Sequence, residues 1–244
     1  MHSPWPSVIE MVGHSGNFDY VEYVAEYAPH DLHTMDNIGR AIDLFADFSG
    51  MIKIESGPSE WLASRAIGAG IQNVLFADIR TVSDVRSRVR SVRPDTPEDG
   101  GEHGVNMRRY VRFGMDAGTA EFVAAMKGAV VAVMIEKRQA LDDLEGILTV
   151  PGVDMVQFGP ADFALSIGKP GRYDDPEVVA AEQRVIETAL ALGKHPRVEL
   201  GSTDGAERYL DMGVRHFCVG TDVSILMQWF RRDGAEMRRL LEST

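Results

Sequence analysis

Short apolar runs alternate with amphipathic segments along most of the chain. Seven of the apolar runs are predicted to be strands: residues 20–24, 51–54, 73–77, 130–135, 155–158, 198–200 and 217–219. Between them, apolar residues recur at helical spacing, as at Leu32, Met35, Ile38 and Ile42. Strands that alternate with helices in this way are typical of a parallel sheet covered by helices.

The helical spacing also gives the number and order of the helices. Helices are predicted at residues 7–12, 32–45, 59–68, 83–92, 140–148, 176–192, 206–212, 223–230 and 236–241. The segment 93–104 is rich in Pro, Gly and Asp and predicts a loop. A loop of that length in a compact domain is more often functional than idle.

The strand count predicts an α/β fold of the (β/α)₈ TIM-barrel type whose first strand is missing. The chain has 244 residues, close to the usual size of one such barrel, so residues 1–244 are expected to form a single domain. The helix at 7–12 has no strand before it. A barrel without its first strand exposes two sheet edges. We therefore expect either another segment or chain to fill the edge or the native protein to start upstream of Met1, and the position of the helix at 7–12 favours the upstream start.

Composition narrows the class of protein without identifying it. With 44% hydrophobic and 25% charged residues the chain is typical of a soluble globular protein. Its net charge of −12 argues against a nucleic-acid partner, which would need a clustered basic face. No apolar run has the length of a membrane span. The lone Cys218 rules out a disulfide framework, and a cytoplasmic location is expected.

Two predicted strands each end at a carboxylate. Glu136 follows the strand at 130–135, and Asp162 comes shortly after the strand at 155–158. If these strands are neighbours in a parallel barrel, both side chains lie at its C-terminal rim, where barrel enzymes keep their chemistry. Two carboxylates with open positions between them suit a hard divalent cation. Either residue could instead be a surface carboxylate, and Asp162 could cap the following helix.

The sequence around these carboxylates resembles a known family. Ile-Glu-Lys-Arg-Gln-Ala-Leu at 135–141, Gly-Val-Asp at 152–154 and Gly-Pro-Ala-Asp at 159–162 are similar to the HpcH/HpaI aldolases, which are metal-dependent pyruvate aldolases. The resemblance extends from about Ser7 to the C-terminus. It implies a TIM barrel, a Mg²⁺, Mn²⁺ or Co²⁺ ion and a pyruvate enolate intermediate.

The resemblance also implies roles for particular residues. Glu136 and Asp162 would bind the metal, and pyruvate would chelate the ion through its carboxylate and keto oxygens. The backbone amides at Gly159, Pro160, Ala161 and Asp162 would receive the carboxylate of the substrate. That arrangement is physically reasonable, because backbone N–H groups at a helix start form an anion site and a divalent ion stabilises a developing negative oxygen.

The chain departs from the family pattern at the positions that transfer protons. Family members commonly carry Asp-Gly-Glu-His-Ala-Pro after the second strand, whereas this chain has Val-Ala-Glu-Tyr-Ala-Pro at 24–29. Val24 and Tyr27 therefore replace the usual Asp and His. The family's arginine at the end of the third strand corresponds to Lys53, which keeps the charge but loses the bidentate fork.

Several residues are candidates for the missing chemistry. Lys53 is expected to stabilise charge on the pyruvoyl oxygen, although it could be a snorkelling strand-end lysine or, if desolvated, a Schiff-base former. Tyr27, His30 or a metal-bound water would move protons. Tyr27 could instead simply pack, and His30 and His103 could be ordinary loop histidines.

Two further features lie outside the motif. Arg108, Arg109 and Arg112 follow the long loop and could clamp a distal carboxylate of the substrate or form a solvated face. Glu199, at the end of a predicted strand, could face the pocket or form an ion pair with Arg197.

Together these features predict a divalent-metal-dependent carbon–carbon lyase that acts on a pyruvate-type 2-oxo acid. One alternative is a related enzyme that uses the same metal–enolate site for decarboxylation or hydration. Another is a non-catalytic homologue that binds oxo acids. The resemblance implies a homo-oligomer, a trimer or hexamer, because family members assemble through barrel helices. The C-terminal helices of this chain fit that expectation, since they carry apolar residues beyond a single stripe: Ile225, Leu226, Met227, Trp229 and Phe230.

Overall fold

A sheet of seven parallel strands forms the centre of the computed structural model, which describes residues 1–105, 109 and 111–243. The strands are β1 (Tyr20–Val24), β2 (Ser49–Ile54), β3 (Asn73–Phe76), β4 (Val131–Ile135), β5 (Met155–Phe158), β6 (His195–Leu200) and β7 (His216–Val219). Their order in the sheet is their order in the chain. The predicted strands are therefore confirmed in number and order.

Helices separate the strands and cover the outside of the sheet. They are α1 (Pro6–Ser15), α2 (Leu32–Ile42), α3 (Ser59–Ala69), α4 (Val82–Val92), α5 (Ala120–Lys127), α6 (Arg138–Asp142), α7 (Leu144–Leu148), α8 (Pro160–Ser166), α9 (Pro176–Ala191), α10 (Ala206–Met212) and α11 (Asp222–Glu242). One turn of 3₁₀-helix lies at Arg112–Gly114.

Three helical predictions differ from the structure. The predicted helix at 140–148 is divided into α6 and α7 at Asp143, whose backbone leaves the helical region. The two predicted C-terminal helices are one helix, α11, that continues through Gly234. The short helices α5 and α8 are absent from the predicted helix ranges, although a helix after Asp162 was considered as an alternative role for that residue.

The strands β1 to β5 are buried on both faces, whereas β7 is half-buried along its length. Outward-facing residues such as Val74, Val131 and Val133 pack with the covering helices in the main core, whereas Leu75 and Met134 pack together in a smaller cluster on the other face. Near-continuous apolar strands are expected where helices cover one face and a barrel interior the other.

The barrel is nearly closed and lacks one strand, as predicted. Among the described residues β1 and β7 have no ladder between them, although the Tyr20 hydroxyl donates to the Phe217 carbonyl oxygen at 3.1 Å. The first residues of the chain cover one end of this opening. The N–H of Val24 donates to the Met1 carbonyl oxygen at 3.0 Å, and the N–H groups of His2 and Ser3 donate to the Asp222 carboxylate at 2.7 and 2.8 Å.

A cavity of about 210 Å³ occupies the rest of the opening between β1 and β7. Cys218 on β7 lines this cavity, and burial raises the pKa of its thiol to about 11, so the group stays protonated at neutral pH. No helix in the described ranges is long and apolar enough to span a membrane.

Candidate active site

The carboxyl ends of β4 and β5 bring the two predicted carboxylates to one cavity. Ile135 pairs with Phe158 in the sheet, so the next residues, Glu136 and Gly159, are neighbours across the two strands. A cavity of about 340 Å³ at this rim is lined by both, and by Asp162 in the first turn of α8. The structure therefore places Glu136 and Asp162 at one cavity, and their role as metal ligands stays a prediction.

Gly159 leaves the space that the Glu136 carboxylate needs. A Cβ at position 159 would lie 2.7 Å from Oε2 of Glu136 and 2.9 Å from the methyl of Met134. Any side chain here would displace the carboxylate. The glycine of the Gly-Pro-Ala-Asp motif is thus required by the close approach of β5 to Glu136.

Glu136 is almost fully buried and is held from one side. Its Oε1 accepts a hydrogen bond from the Asp78 backbone N–H at 2.6 Å. Burial raises the pKa of Glu136, the neighbouring Asp162 charge adds to this, and the Asp78 N–H and the Lys53 charge oppose it. Burial therefore favours the neutral acid on balance, and a bound cation would favour the charged carboxylate.

Lys137 forms ion pairs with Asp78 and Asp162 at the same rim. Its Nζ lies 2.9 Å from Oδ1 of Asp78 and 2.8 Å from Oδ1 of Asp162. Burial lowers the pKa of the Lys137 amine, but the hydrogen bonds to Asp162 and Asp78 outweigh burial and leave the pKa raised. The amine is therefore a fixed positive charge beside the predicted metal ligands.

Lys53 lies on β2 and lines the same cavity. Its Nζ is 2.6 Å from Oε2 of Glu26 and 5.1 Å from the centre of the Tyr27 ring. Burial lowers the pKa of Lys53, but the hydrogen bond and charge of Glu26 outweigh it, and the net pKa is raised. A Schiff base requires a neutral amine, so this environment argues against that alternative.

The two candidate proton-transfer residues differ in placement. Tyr27 lines the cavity, and burial, partly offset by the Lys53 charge, raises the pKa of its phenol. His30 is exposed, its Nδ1 lies 3.3 Å from the Ala28 carbonyl oxygen, and it is not among the described residues that line the cavity. The structure brings Tyr27 to the site and leaves His30 outside it.

The predicted carboxylate-binding turn has fewer free N–H groups than its four residues suggest. The N–H of Gly159 already donates to the Ile135 carbonyl oxygen at 3.1 Å, and Pro160 has no N–H. Ala161 and Asp162 belong to the first turn of α8, whose N–H groups have no acceptor within the helix. Only these two are available to an anion, while Gly159 and Pro160 line the cavity.

A buried polar network crosses the barrel below the carboxylates. Arg197 on β6 is fully buried, and its Nη2 lies 2.6 Å from Oε2 of Glu22 on β1. The same guanidinium donates to Gln157, whose Nε2 donates to Glu199 at 3.3 Å. Of the two alternatives for Glu199, the structure supports the pocket-facing one, because Glu199 lines the cavity and Arg197 is paired with Glu22.

Of the two alternatives for the arginines after the long loop, the substrate clamp does not fit the position of Arg109. Its Nε donates to the Ala69 carbonyl oxygen at 2.8 Å, and its guanidinium pairs with Asp43 at 2.9 Å. Ala69 is the last residue of α3 and precedes β3, so Arg109 lies at the N-terminal end of the barrel, opposite the cavity. Arg112 pairs with Asp116 at 3.0 Å, and Arg108 lies outside the described residues.

The long loop at 93–104 also packs at the end of the barrel opposite the cavity. Arg93 donates to the carbonyl oxygens of Ala129 and Gly152, which precede β4 and β5. His103 is buried there, with its Nδ1 3.1 Å from the Ser91 carbonyl oxygen. His103 therefore cannot replace the missing histidine of the site.

His103 is expected to make stability depend on pH. Burial lowers the pKa of its ring below the ordinary value of about 6.5, and the Ser91 carbonyl opposes this only in part. The unfolded chain then binds the proton more readily, so stability falls as pH decreases below about 6.5, by at most about 1.4 kcal/mol per pH unit. Urea unfolding near pH ~7.5 and pH ~5.5 should show a smaller loss for His103→Gln than for the wild type. Equal losses would contradict this assignment.

The donor set at the rim fits a divalent cation. Glu136 and Asp162 offer carboxylate oxygens, which hard cations such as Mg²⁺ and Mn²⁺ prefer. The described residues contain no group of three or more His, Cys, Asp and Glu placed to bind a metal. An ion held by these two residues would therefore take its other ligands from water and substrate, as catalytic Mg²⁺ sites commonly do.

The fold and this rim define a barrel enzyme with a two-carboxylate site. Residues 26–228 match the family model of the HpcH/HpaI aldolases and citrate lyases. The chain is 31% identical to a pyruvate aldolase of Rhizobium etli over 223 residues, which cover 91% of this chain and 85% of that one. It is 28% identical to a 5-keto-4-deoxy-D-glucarate aldolase of Shigella boydii over 221 residues, 90% of this chain and 83% of that one.

A solved structure agrees with these sequence relatives. An HpcH/HpaI aldolase/citrate lyase family protein of Burkholderia cenocepacia superimposes with a TM-score of 0.87 at 30% identity, covering 98% of this chain and 92% of that one. The chain belongs to the HpcH/HpaI aldolase/citrate lyase family and is a lyase.

Three site residues were not predicted. Asp78 directly follows Ala77 at the end of the predicted third strand, and the rim rule that selected Glu136 would have selected it as well. Lys137 adjoins Glu136, but adjacency does not reveal its partners. Glu26 lies within the quoted Val-Ala-Glu-Tyr-Ala-Pro run, yet its pairing with Lys53 depends on the register of β1 against β2.

Proposed function

We propose that this protein is a divalent-metal-dependent carbon–carbon lyase that cleaves or forms a bond next to the carbonyl of a 2-oxo acid, with a pyruvate enolate as the reacting fragment. The convergence of Glu136, Asp162 and Lys53 on one rim cavity carries the proposal. The relatives named as pyruvate aldolase and 5-keto-4-deoxy-D-glucarate aldolase support the same reaction class.

Glu136 and Asp162 would hold the ion, which supplies Lewis-acid stabilisation of negative charge on the keto oxygen of the substrate. Gly159 keeps the space beside Glu136 open, and the N–H groups of Ala161 and Asp162 would bind the carboxylate of the oxo acid. These roles make the motif at 159–162 both a metal and a substrate site.

Lys53 would add a second positive charge on the β2 side of the cavity. The Glu26 carboxylate holds its amine in place at 2.6 Å and keeps it protonated. A charge that is fixed before the reaction stabilises a developing oxyanion without the cost of reorganisation. Lys53 thereby keeps the positive charge of the family's arginine but not its bidentate hydrogen bonding.

Proton transfer is the step in which this chain differs from its family. Val24 is apolar where the family has Asp, and Tyr27 stands in the place of the His. Because the pKa of Tyr27 is raised, its phenol stays neutral at physiological pH and keeps an O–H that can donate a hydrogen bond. Tyr27 is thus suited to orient a substrate oxygen, and a basic role for it is disfavoured.

The altered proton-transfer positions also support a second candidate function. An enzyme that uses the same carboxylates and Lys53 for decarboxylation would not need the missing pair to deprotonate an aldol hydroxyl. Assays of pyruvate with a panel of aldehydes, and of oxo acids alone, separate the two with Mg²⁺ or Mn²⁺ present. Aldol products support the lyase, CO₂ release alone supports the decarboxylase, and ligand binding without turnover supports a non-catalytic homologue.

The C-terminal helix is proposed to form a subunit interface. In the described part of the chain α11 buries none of its residues, and Ile225, Trp229 and Phe230 are more than half exposed. Several large apolar side chains exposed together on one helix are typical of an interaction surface. The proposed partner is a second copy of the chain. Most soluble oligomers are symmetric homo-oligomers, and in such an assembly every subunit would bury its own α11 face.

Light scattering should accordingly give a mass above the 26.9 kDa of one chain. The double substitution Trp229→Ser with Phe230→Ser should shift the protein towards the monomer, because the interface loses its largest apolar side chains. Trp61→Ser, which removes a half-exposed tryptophan from α3, serves as the control and should leave the mass unchanged. A monomeric wild type would refute the interface.

The cytoplasmic location and the lack of a nucleic-acid partner stay predictions.

A further inference from the structure

Asp78 is linked to both predicted metal ligands, directly to Glu136 and through Lys137 to Asp162. Its backbone N–H donates to Oε1 of Glu136 at 2.6 Å. Its side chain binds Nζ of Lys137 at 2.9 Å, and the same Nζ binds Asp162 at 2.8 Å. Asp78 follows β3, Lys137 follows β4 and Asp162 follows β5. The network therefore spans three consecutive strand ends.

The backbone of Asp78 is adapted to this contact. Its φ of 56° lies in the left-handed region, which residues other than glycine seldom adopt and which Asp and Asn tolerate best. In this conformation the N–H points at Glu136 while the side chain remains available to Lys137. An uncommon backbone conformation at a site rim calls for a functional explanation.

Lys137 is well placed to restrict the Asp162 side chain. The lysine side chain is only 12% exposed, whereas that of Asp162 is 37% exposed and has room to rotate. An ammonium held by two carboxylates at 2.8 and 2.9 Å limits where the Asp162 oxygens can lie. One oxygen, Oδ1, is engaged with Lys137, which leaves Oδ2 for another cation.

We infer that Asp78 and Lys137 are positioning residues that hold Glu136 and Asp162 in the arrangement a divalent ion requires. This inference rests on the proposed function, because it gives the two carboxylates their metal-binding role. Groups that hydrogen-bond to metal ligands orient them, and their loss commonly lowers metal affinity about 10- to 100-fold. Asp78 and Lys137 would act in this way without contacting the ion.

A purely electrostatic role predicts a different pattern. Lys137 is a positive charge beside a cation site, so its removal alone should tighten metal binding, and removal of the negative Asp78 should weaken it. If the two residues act as one positioning unit, both removals weaken binding, and the double variant is no worse than the single ones. The sign of the Lys137 effect therefore decides between the two roles.

The test is calorimetric titration of Mn²⁺ into the wild type, Lys137→Met, Asp78→Asn and the double variant, without substrate. Asn retains the left-handed backbone and the N–H to Glu136, so Asp78→Asn removes only the charge that holds Lys137. We expect each single variant to lose about 10- to 100-fold in affinity, and Lys137→Arg to recover part of the loss.

Lys169→Met is the matched control. Lys169 also bridges two carboxylates, with its Nζ 2.7 Å from Asp175 and 3.0 Å from Glu177, but neither lines the cavity. Its removal should leave Mn²⁺ affinity unchanged. Thermal unfolding of each variant shows whether it is folded. If Lys137→Met is not, Lys137→Arg still carries the test, because it keeps the charge and should lose affinity only if the position of the amine matters.

Three results would overturn the inference. Tighter binding by Lys137→Met would show an electrostatic role only, and unchanged affinity in both single variants would show an ordinary rim ion pair. Additive losses in the double variant would show that the two residues act separately. A wild type that binds no Mn²⁺ would instead refute the proposed function itself, and with it the metal-binding role assigned to the pair.

Discussion

Glu136→Gln and Asp162→Asn are each expected to abolish measurable binding of Mg²⁺ or Mn²⁺ and to abolish lyase activity. In the proposed function these two carboxylates are the protein ligands of the cation, and an amide oxygen lacks the charge that a hard cation needs. The fold should survive in both variants. In Glu136→Gln the amide oxygen can still accept the hydrogen bond from the Asp78 N–H.

Glu182→Gln provides the matched control for these two variants. Glu182 also lines the cavity, but its carboxylate accepts hydrogen bonds from the Tyr209 hydroxyl at 3.0 Å and from Arg208 at 2.8 Å. Removing its charge should leave ion affinity close to that of the wild type. Calorimetry that finds wild-type affinity in Glu136→Gln or Asp162→Asn would remove the metal site from the proposed function.

Lys53→Met is expected to lower kcat by about two to three orders of magnitude, the usual cost of losing an oxyanion-stabilising group. The substitution also removes the lysine partner of the Glu26 carboxylate. Lys53→Arg should retain part of the activity, because it preserves the charge. The kcat of the wild type, Lys53→Met and Lys53→Arg is measured by steady-state kinetics, with the 2-oxo acid that the substrate panel identifies.

Two further measurements separate charge stabilisation from other roles of Lys53. Borohydride treatment of the wild type with pyruvate should yield no covalent adduct, because the raised pKa keeps the amine protonated. Lys194→Met, at the opposite end of the barrel where Lys194 donates to the Val153 carbonyl oxygen, should be fully active. An adduct at Lys53 would replace the metal mechanism with a Schiff-base one, and an unimpaired Lys53→Met would exclude Lys53 from the chemistry.

Much of the barrel could be predicted because its signals are local. A strand buried on both faces reads as a short apolar run, and β1 and β5 have the predicted bounds. The first three residues of β6 were not predicted as strand, because His195, Pro196 and Arg197 do not form an apolar run. Buried Arg197 is tolerated in the barrel because Glu22, on a distant strand, compensates its charge, and no local pattern contains that information.

The part of the site that follows from the direction of the strands could also be predicted from the sequence. Parallel strands end on one side of a sheet, so residues that follow strand ends converge, and this rule placed Glu136 and Asp162 together. The rule cannot say where a residue in a long connection lies, which is why it could not decide between the two alternatives for Arg109. It also cannot show that the Gly159 N–H is already occupied by the Ile135 carbonyl oxygen.

The sequence alone determined the repeated strand–helix order, the absence of one strand and the pair of carboxylates at the rim. These features follow from hydrophobic periodicity and chain direction, which each segment carries in its own residues. Only the tertiary structure decided which charges meet: Glu26 with Lys53, Asp78 and Asp162 with Lys137, and Glu22 with Arg197. Such pairs depend on strand register and on how neighbouring strand ends approach one another, and both are set by packing of the whole barrel.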